Sequence, residues 1–476
     1  MRILFICPPN YRFREVSFQD FGLGPAYLAA VLGKNHEVAY YETDAPAEAE
    51  IKNISHDYTS YEYLIKSHHK YVEGLQNESH LVWKEIERVI SDFAPDIVGL
   101  STMTPSYPSA LIVAKMAKRL SNATVIFGGV HASILPDEVL QNSFIDFVVR
   151  GEGETTIEEL VQCLEKKTDP SMVKGISFRK NGQIIHTPRR DLIPDLDSIP
   201  FPVRSSLLFP ERFSDRNFAH IFVGRGCPAD CYFCANPTLW GRKYRLRSAK
   251  NVFEELKLLT NEYGKVVLFE DDNLLVSKAM LFELCSLIKQ EIPDLVWRCQ
   301  SRVDTLSEEK LLAIKEAGCW DVKLGFESGS DRILTYINKK LTEKKIMECC
   351  EMIVKSGMQF SVNFMFGFPD ETLEDMRATL EMIKKIPANS IAISKFIPLP
   401  GTKLYNDVIK SGLIADSPPK YEHFDLYSNY YHFSKHLSRE QLQEFWLEIY
   451  HLVEEKNKKT RKGPPKPKQV VIPTAL

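Results

Sequence analysis

Three cysteines, Cys227, Cys231 and Cys234, fall within eight residues in the segment Gly224-Arg-Gly-Cys227-Pro-Ala-Asp-Cys231-Tyr-Phe-Cys234. The other seven of the ten cysteines are scattered along 476 residues. Such spacing is not a disulfide framework, whereas clustered thiols bind metal. A four-iron cube ordinarily takes four thiolates. Three on one loop leave an iron without a protein ligand, and an open coordination position is what metal-based catalysis requires. The flanking glycines let the loop wrap closely. The competing reading is a zinc knuckle, which needs a fourth ligand, yet no His or Cys follows Cys234 before Cys285.

CxxxCxxC, with the aromatic Phe233 before the third cysteine and the strand-like HIFVGRGC leading in, resembles the radical S-adenosylmethionine superfamily. The resemblance implies a 4Fe–4S cluster on Cys227, Cys231 and Cys234. Reduced, it would split S-adenosylmethionine into methionine and a 5′-deoxyadenosyl radical. Later segments extend the match. Phe269-Glu270-Asp271-Asp272-Asn resembles the acidic strand end that holds the methionyl ammonium, a sound ion pairing. Ser301 and Arg302 of Gln300-Ser-Arg-Val-Asp304 match the strand end that reaches ribose or carboxylate. Glu327 and Ser328 of Gly325-Phe-Glu-Ser-Gly329 match one that also lines the cofactor. Phe366-Gly-Phe-Pro369 and Pro398-Leu-Pro-Gly401-Thr402 match two further turns. Taken singly, each is equally a buried carboxylate or a turn residue. No individual catalytic residue is assigned.

The first 165 residues narrow the resemblance to the cobalamin-binding branch. Ser101, Thr102 and Thr104, then Gly128, Gly129 and His131, then Gly151 and Glu152 follow three predicted strands. Paired glycines leave room for a large ligand against the backbone, and hydroxyls can bind its amides or phosphate. His131 reads as a corrinoid contact rather than a cobalt ligand. Relatives that ligate cobalt carry Asp-x-His-x-x-Gly after the first strand. Here that strand runs into Cys7-Pro-Pro-Asn-Tyr, with no His until His36. This implies cobalamin bound with its base displaced and no protein imidazole on cobalt.

These residues need strands to present them. Short continuous apolar runs at RILFI, His36–Tyr41, Asp96–Leu100, Thr124–Phe127 and Phe147–Val149 alternate with helical stretches, the pattern of parallel strands buried on both faces. A second series at His220–Val223, Val266–Phe269, Leu295–Gln300, Val322–Phe326, Phe360–Phe366 and Ile391–Ile397 fits a partial β/α barrel. The fold class is therefore α/β. A Rossmann-like, doubly wound cobalamin domain spans 1–165, a hairpin and linker 166–215, a partial (β/α)6 radical S-adenosylmethionine barrel 216–412, and a helical extension with a basic disordered tail 413–476. The hairpin turns near Asn181-Gly182, and the tail begins at Glu454. Residues 45–85 read as inserted surface helices, with His56, His68, His69 and His80 as solvated surface. Cys299 is either a hydrogen donor aimed into the barrel or a small packed residue. Cys349 and Cys350 read as helix packing. Tyr421, Phe424, Tyr427, Tyr430 and Tyr431 either line a pocket or, the favoured reading, pack on the barrel.

Composition sets the remaining limits. Hydrophobic residues are 44%, charged residues 26%, and the net charge is −3, so no nucleic-acid groove is expected. The apolar start is cut by Pro8-Pro9, too short for a signal peptide, and no run approaches a membrane span. A cytoplasmic location follows as the default. The resemblance implies methylation of an unactivated carbon of a small molecule or natural-product intermediate. An external electron donor such as flavodoxin or ferredoxin would supply electrons, and cobalt would face the barrel mouth. Cyclisation, ring rearrangement or oxidation with the same cofactors is the alternative. A non-catalytic redox or cobalamin sensor is a second one, disfavoured because a sensor needs no grip on S-adenosylmethionine.

Overall fold

The computed structural model describes residues 1–16, 21–47, 50 and 61–465. The strands are β1 (Arg2–Cys7), β2 (Glu37–Glu42), β3 (Ile97–Ser101), β4 (Thr124–Gly128), β5 (Phe147–Val149), β6 (Ile176–Lys180) and β7 (Gln183–His186), followed by β8 (His220–Ile221), β9 (Gly224–Arg225), β10 (Arg245–Leu246), β11 (Val266–Phe269), β12 (Val296–Ser301), β13 (Cys319–Glu327), β14 (Gln359–Phe366) and β15 (Ser390–Lys395). Two units emerge. One joins Met1–Ser214 with Thr238–Gly241 and Ile397–Tyr431, and the other holds Asp215–Pro237, Arg242–Phe396 and the chain from His432 on.

The first unit is a seven-stranded sheet in the order β2-β1-β3-β4-β5-β6-β7. β1 to β5 are parallel, and Ile3, Leu4, Ile6, Ile97 and Val98 are wholly buried because helices cover both faces. The 2-1-3 order puts a topological switch point between β1 and β3, where ligands of such sheets bind beyond the carboxyl ends. Register brings Cys7 level with Glu42 and Ser101 level with Gly128 along that edge.

The hairpin forms where expected, with Asn181 and Gly182 both at positive φ, as a two-residue turn requires. It is not part of a linker, however. β6 pairs antiparallel with β5 and extends the sheet. Arg179 donates to the carbonyls of Asn142 and Ser143, and Arg150 to those of Ile176 and Thr187, and these bonds to backbone carbonyls hold it in place.

The second unit carries six parallel strands in the order β15-β14-β13-β12-β11-β8, the expected partial barrel. Side-chain caps start its helices: Ser248 accepts from Asn251 N, Ser307 from Lys310 N, and Thr372 forms a capping box with Asp375.

The expected C-terminal boundaries need correcting. Residues 397–431 join the first unit, where Tyr421 packs on Tyr107 and His131 and donates to Glu138 at 2.8 Å. The basic tail is not disordered from Glu454, because helix Arg439–Thr460 runs through it. Asn457 on that helix bonds both Ile391 N and Ile391 O at 2.8 Å, which satisfies the open edge of β15. Residues 466–476 lie outside the described residues. So does His56, while His68 is buried rather than solvated, with Nε2 3.2 Å from His423. Cys299 is wholly buried beside Cys285 and Cys319, on the helix-facing side of β12, so it does not point into the barrel.

Candidate active site

Strand β8 ends at Ile221, and the chain leaves the barrel through β9. β9 and β10 pair antiparallel, Arg245 opposite Arg225, and so close the base of the loop that carries the three cysteines. Asp271 fixes this base: its carboxylate accepts from Val223 N at 2.8 Å and Gly224 N at 2.7 Å. Burial pushes Asp271 up to about 7, and those amide donors oppose the rise. Gly226 sits at φ +91, a conformation that favours glycine. A second turn clamps the loop from the other side. Tyr232 N donates to Ile337 O at 3.0 Å, and Asn338 Nδ2 to Asp230 O at 2.6 Å.

A cavity of about 180 Å³ opens beyond the ends of β11, β12 and β13, and Cys227, Cys231 and Cys234 all line it. Five of the barrel residues expected to hold cofactor also reach it: Phe233, Asp272, Ser301, Arg302 and Glu327. Asp272 is held by Asn236 Nδ2, and burial raises its carboxyl above the usual range. Ser301 Oγ donates to Asn273 Oδ1 at 2.8 Å. Glu327 takes a positive φ of 65° and pairs with Lys339 Nζ at 2.7 Å. Gly325 makes room for that carboxylate, since a Cβ there would lie 2.3 Å from Glu327 Oε1.

Three expected site residues are spent elsewhere. Glu270 bonds His220 Nδ1 at 2.9 Å, Asp271 holds the β8–β9 turn, and Ser328, wholly buried, meets Thr379 Oγ1 at 3.1 Å and accepts from Ser330 N. In Glu270-Asp271-Asp272 the backbone turns at the strand end, so only the third carboxylate faces the cavity. Asn236, Lys323 and Asn363 also line the cavity without being expected there, and Lys339 is a further residue that sequence reasoning missed. It lies 12 residues beyond Glu327 on a turn where Asn338 and Lys340 have positive φ, and only the Asn-Lys-Lys run after a helix hints at that turn.

The donor set fits an iron–sulfur cluster. Burial pushes the Cys234 thiol up to about 12, with Asn236 N–H opposing, and raises Cys227 as well, so iron would displace protons on binding. Cys234 Sγ accepts from Asn236 N at 3.4 Å and Cys231 Sγ from Arg302 Nη1 at 3.2 Å, and such N–H groups stabilise thiolate. Among the described residues no three His, Cys, Asp or Glu gather as around a single ion, and thiolates on separate irons of a cube need not.

At the carboxyl edge of the first unit's sheet, the expected corrinoid residues divide. Met103, between the expected Thr102 and Thr104 but not itself an expected contact, is 65% exposed in the loop after β3, and nothing lies within 4 Å of a Cβ built on Gly151, at φ +79. An exposed apolar side chain fits a partly apolar ligand, and the space at Gly151 leaves room for a ligand to approach the backbone. Ser101 is half-buried there. Thr102 instead donates to Gly128 O at 2.8 Å, and Gly129 is required because a Cβ would lie 2.7 Å from Thr102 N and O. Glu152 accepts from Ile193 N at 2.7 Å and anchors the segment after the hairpin. His131 is wholly buried, stacked 4.2 Å from Tyr107 with Nδ1 3.3 Å from Thr104 Oγ1, so it is not displayed at the open edge.

Comparison with known proteins agrees with both halves. Residues 221–383 match the Radical SAM superfamily and residues 66–161 the B12 binding domain. The chain is 32% identical to the uncharacterized methyltransferase PH0819 of Pyrococcus horikoshii over 94% of its own length and 92% of that protein's. It is 28% identical to the anaerobic magnesium-protoporphyrin IX monomethyl ester cyclase of Rubrivivax gelatinosus over 71% of this chain and 62% of that one. Among solved structures it shares the fold of the radical S-adenosylmethionine methyltransferase TsrM from Kitasatospora setae, at a TM-score of 0.70 and 17% identity over 98% of this chain and 93% of that one. Among the described residues no helix is long and apolar enough to cross a membrane. A radical S-adenosylmethionine domain and a B12 binding domain in one chain, together with a relative matched along nearly its whole length, place the protein among the cobalamin-binding radical S-adenosylmethionine enzymes, which work with a 4Fe–4S cluster, S-adenosylmethionine and cobalamin.

Proposed function

We propose that the enzyme methylates an unactivated carbon of a small molecule. One observation carries the reading: three thiols, the carboxylates of Asp272 and Glu327 and the amines of Lys323 and Lys339 share a single cavity at the strand ends. When bound, the cluster and S-adenosylmethionine supply a hydrogen-abstracting radical, and cobalamin supplies a methyl group. The chain's residues hold and orient these groups. Cys227, Cys231 and Cys234 would hold the cluster and leave one iron open to the amino-acid end of S-adenosylmethionine. Asp272, oriented by Asn236, would accept from its ammonium. Lys339, oriented by Glu327, would donate to its carboxylate. The Phe233 ring walls the cavity beside Lys339, whose Nζ lies 5.9 Å from the ring centroid. Ser101, Met103 and Gly151 offer a corrinoid an open edge in the first unit. A one-electron donor such as flavodoxin or ferredoxin would reduce the cluster.

The name of the relative matched at 92% of its length favours methyl transfer, and the tryptophan complex of TsrM favours a small-molecule substrate. The cyclase relative favours a second reading, radical chemistry without methyl transfer. The test uses anaerobically reconstituted protein with hydroxocobalamin, a low-potential reductant and S-adenosylmethionine. A methyltransferase spends two molecules of the latter, giving 5′-deoxyadenosine and S-adenosylhomocysteine. Deoxyadenosine alone, with corrinoid retained through gel filtration, would favour the cyclase-like reading. Loss of the corrinoid would sink both.

A further inference from the structure

Arg302 sits 8% exposed at the end of β12, and its hydrogen bonds are committed in a way the strand-end motif does not suggest. Nε and Nη2 grip Asp304 in a two-point fork at 2.9 and 2.8 Å. Nη2 also donates to Lys339 O at 2.7 Å. Only Nη1 is left, and it donates to Cys231 Sγ at 3.2 Å. A planar guanidinium held on two sides cannot swing toward a ribose or carboxylate without abandoning its carboxylate partner.

We infer that Arg302 is a positioning residue that sets the reduction potential of the cluster through a charged hydrogen bond to the Cys231 sulfur. The inference rests on Cys231 being a cluster ligand, as proposed above. Cys234 receives a comparable bond from a backbone amide, Asn236 N at 3.4 Å. Arg302 is the side chain that does so, and it carries a permanent positive charge. Asp304 lies on the opposite edge of the fork, its side chain 38% exposed, so solvent screens it more than it screens the buried cation.

The chemistry is the transfer of one electron from an external one-electron donor, which takes the cluster from its 2+ to its 1+ state. No bond forms or breaks and no proton moves. The reduced cluster holds one more negative charge against the same three thiolates. A fixed cation and an N–H···S bond stabilise that state, so they raise the potential. The Arg302 clamp thus makes the cluster easier to reduce. The turn that supplies Lys339 O also grips the cysteine loop through Ile337 O and Asn338, so sulfur and guanidinium are held by one frame.

The experiment is a redox titration of the reconstituted cluster without S-adenosylmethionine, following the electron paramagnetic resonance of the reduced state. Iron and sulfide are counted first for wild type, Arg302→Gln and Arg302→Lys. In Arg302→Gln the ratio of reduced to oxidised cluster at a fixed potential near the midpoint should fall about tenfold, which is about 59 mV for one electron. Arg302→Lys keeps the charge without the fork and should shift less in the same direction. An unchanged midpoint in Arg302→Gln overturns the inference. Where Arg302→Gln takes up no cluster, Arg302→Lys decides by the same criterion. A wild-type protein with no cluster signal would instead fail the cysteine assignment, which is a separable outcome.

Discussion

Replacing Lys339 with methionine separates what the Glu327–Lys339 pair does for the fold from what it does for ligand binding. The pair is 2.7 Å long, with side chains 5% and 10% exposed. Methionine fills nearly the volume of lysine, so cavity formation contributes little. What remains is Glu327, left charged and buried, at a backbone φ that already strains a non-glycine residue. Breaking a buried ion pair from one side costs about 3–5 kcal/mol. With a urea slope near 3 kcal/mol per M, the unfolding midpoint of this unit should fall by roughly 1 M or more. Trp297, Trp320 and Trp446 lie in this unit and report it by fluorescence. The double variant Glu327→Gln with Lys339→Met removes the stranded charge and should recover most of the loss. Equilibrium dialysis should show weakened S-adenosylmethionine binding in both variants, because the cation is gone from each. A single variant as stable as wild type would refute the burial argument. A double variant that binds normally would refute the role given to Lys339.

Further expectations follow from the first unit and the barrel edge. Glu152→Gln should retain corrinoid through gel filtration, whereas Gly151→Leu, which places a side chain at φ +79 into the open edge, should not; equal retention would dissociate that edge from cobalamin. His131 has its pKa lowered to about 3 by burial, below the unfolded value of 6.5. The unfolded chain therefore binds this proton first. The stabilisation is complete above about pH 6.5 and is lost as pH falls toward 3, at up to about 1.4 kcal/mol per pH unit. His131→Phe should keep the stack on Tyr107 and show a shallower acid dependence of its thermal midpoint. An identical slope would count against burial of a neutral imidazole. Asn457→Ala should destabilise the barrel by roughly 2 kcal/mol, because it uncovers Ile391 N and O, as read from urea midpoints.

Much of this protein is written locally. Continuous apolar runs announce two series of parallel strands, because a strand buried on both faces cannot alternate. The Asn181-Gly182 turn follows from the positive φ that a two-residue turn needs. The thiol triplet is legible because three cysteines so close on one loop have few other uses. Which partner each polar side chain takes is not local. Glu270, Asp271 and Asp272 are neighbours in sequence, yet they point to His220, to two backbone amides and to the cavity. Lys339 enters only because a turn folds back over the cysteine loop. Arg302 reads as a ligand contact until Asp304 and Lys339 O are seen to occupy its fork. His131 looks like a displayed imidazole until Tyr107 and Tyr421 close over it. Hydrophobic periodicity is a property of a segment and fixes where strands and helices run. Hydrogen-bond partners are chosen among groups from a few to hundreds of residues apart, because a buried polar atom must be satisfied by whatever the packed chain brings near it.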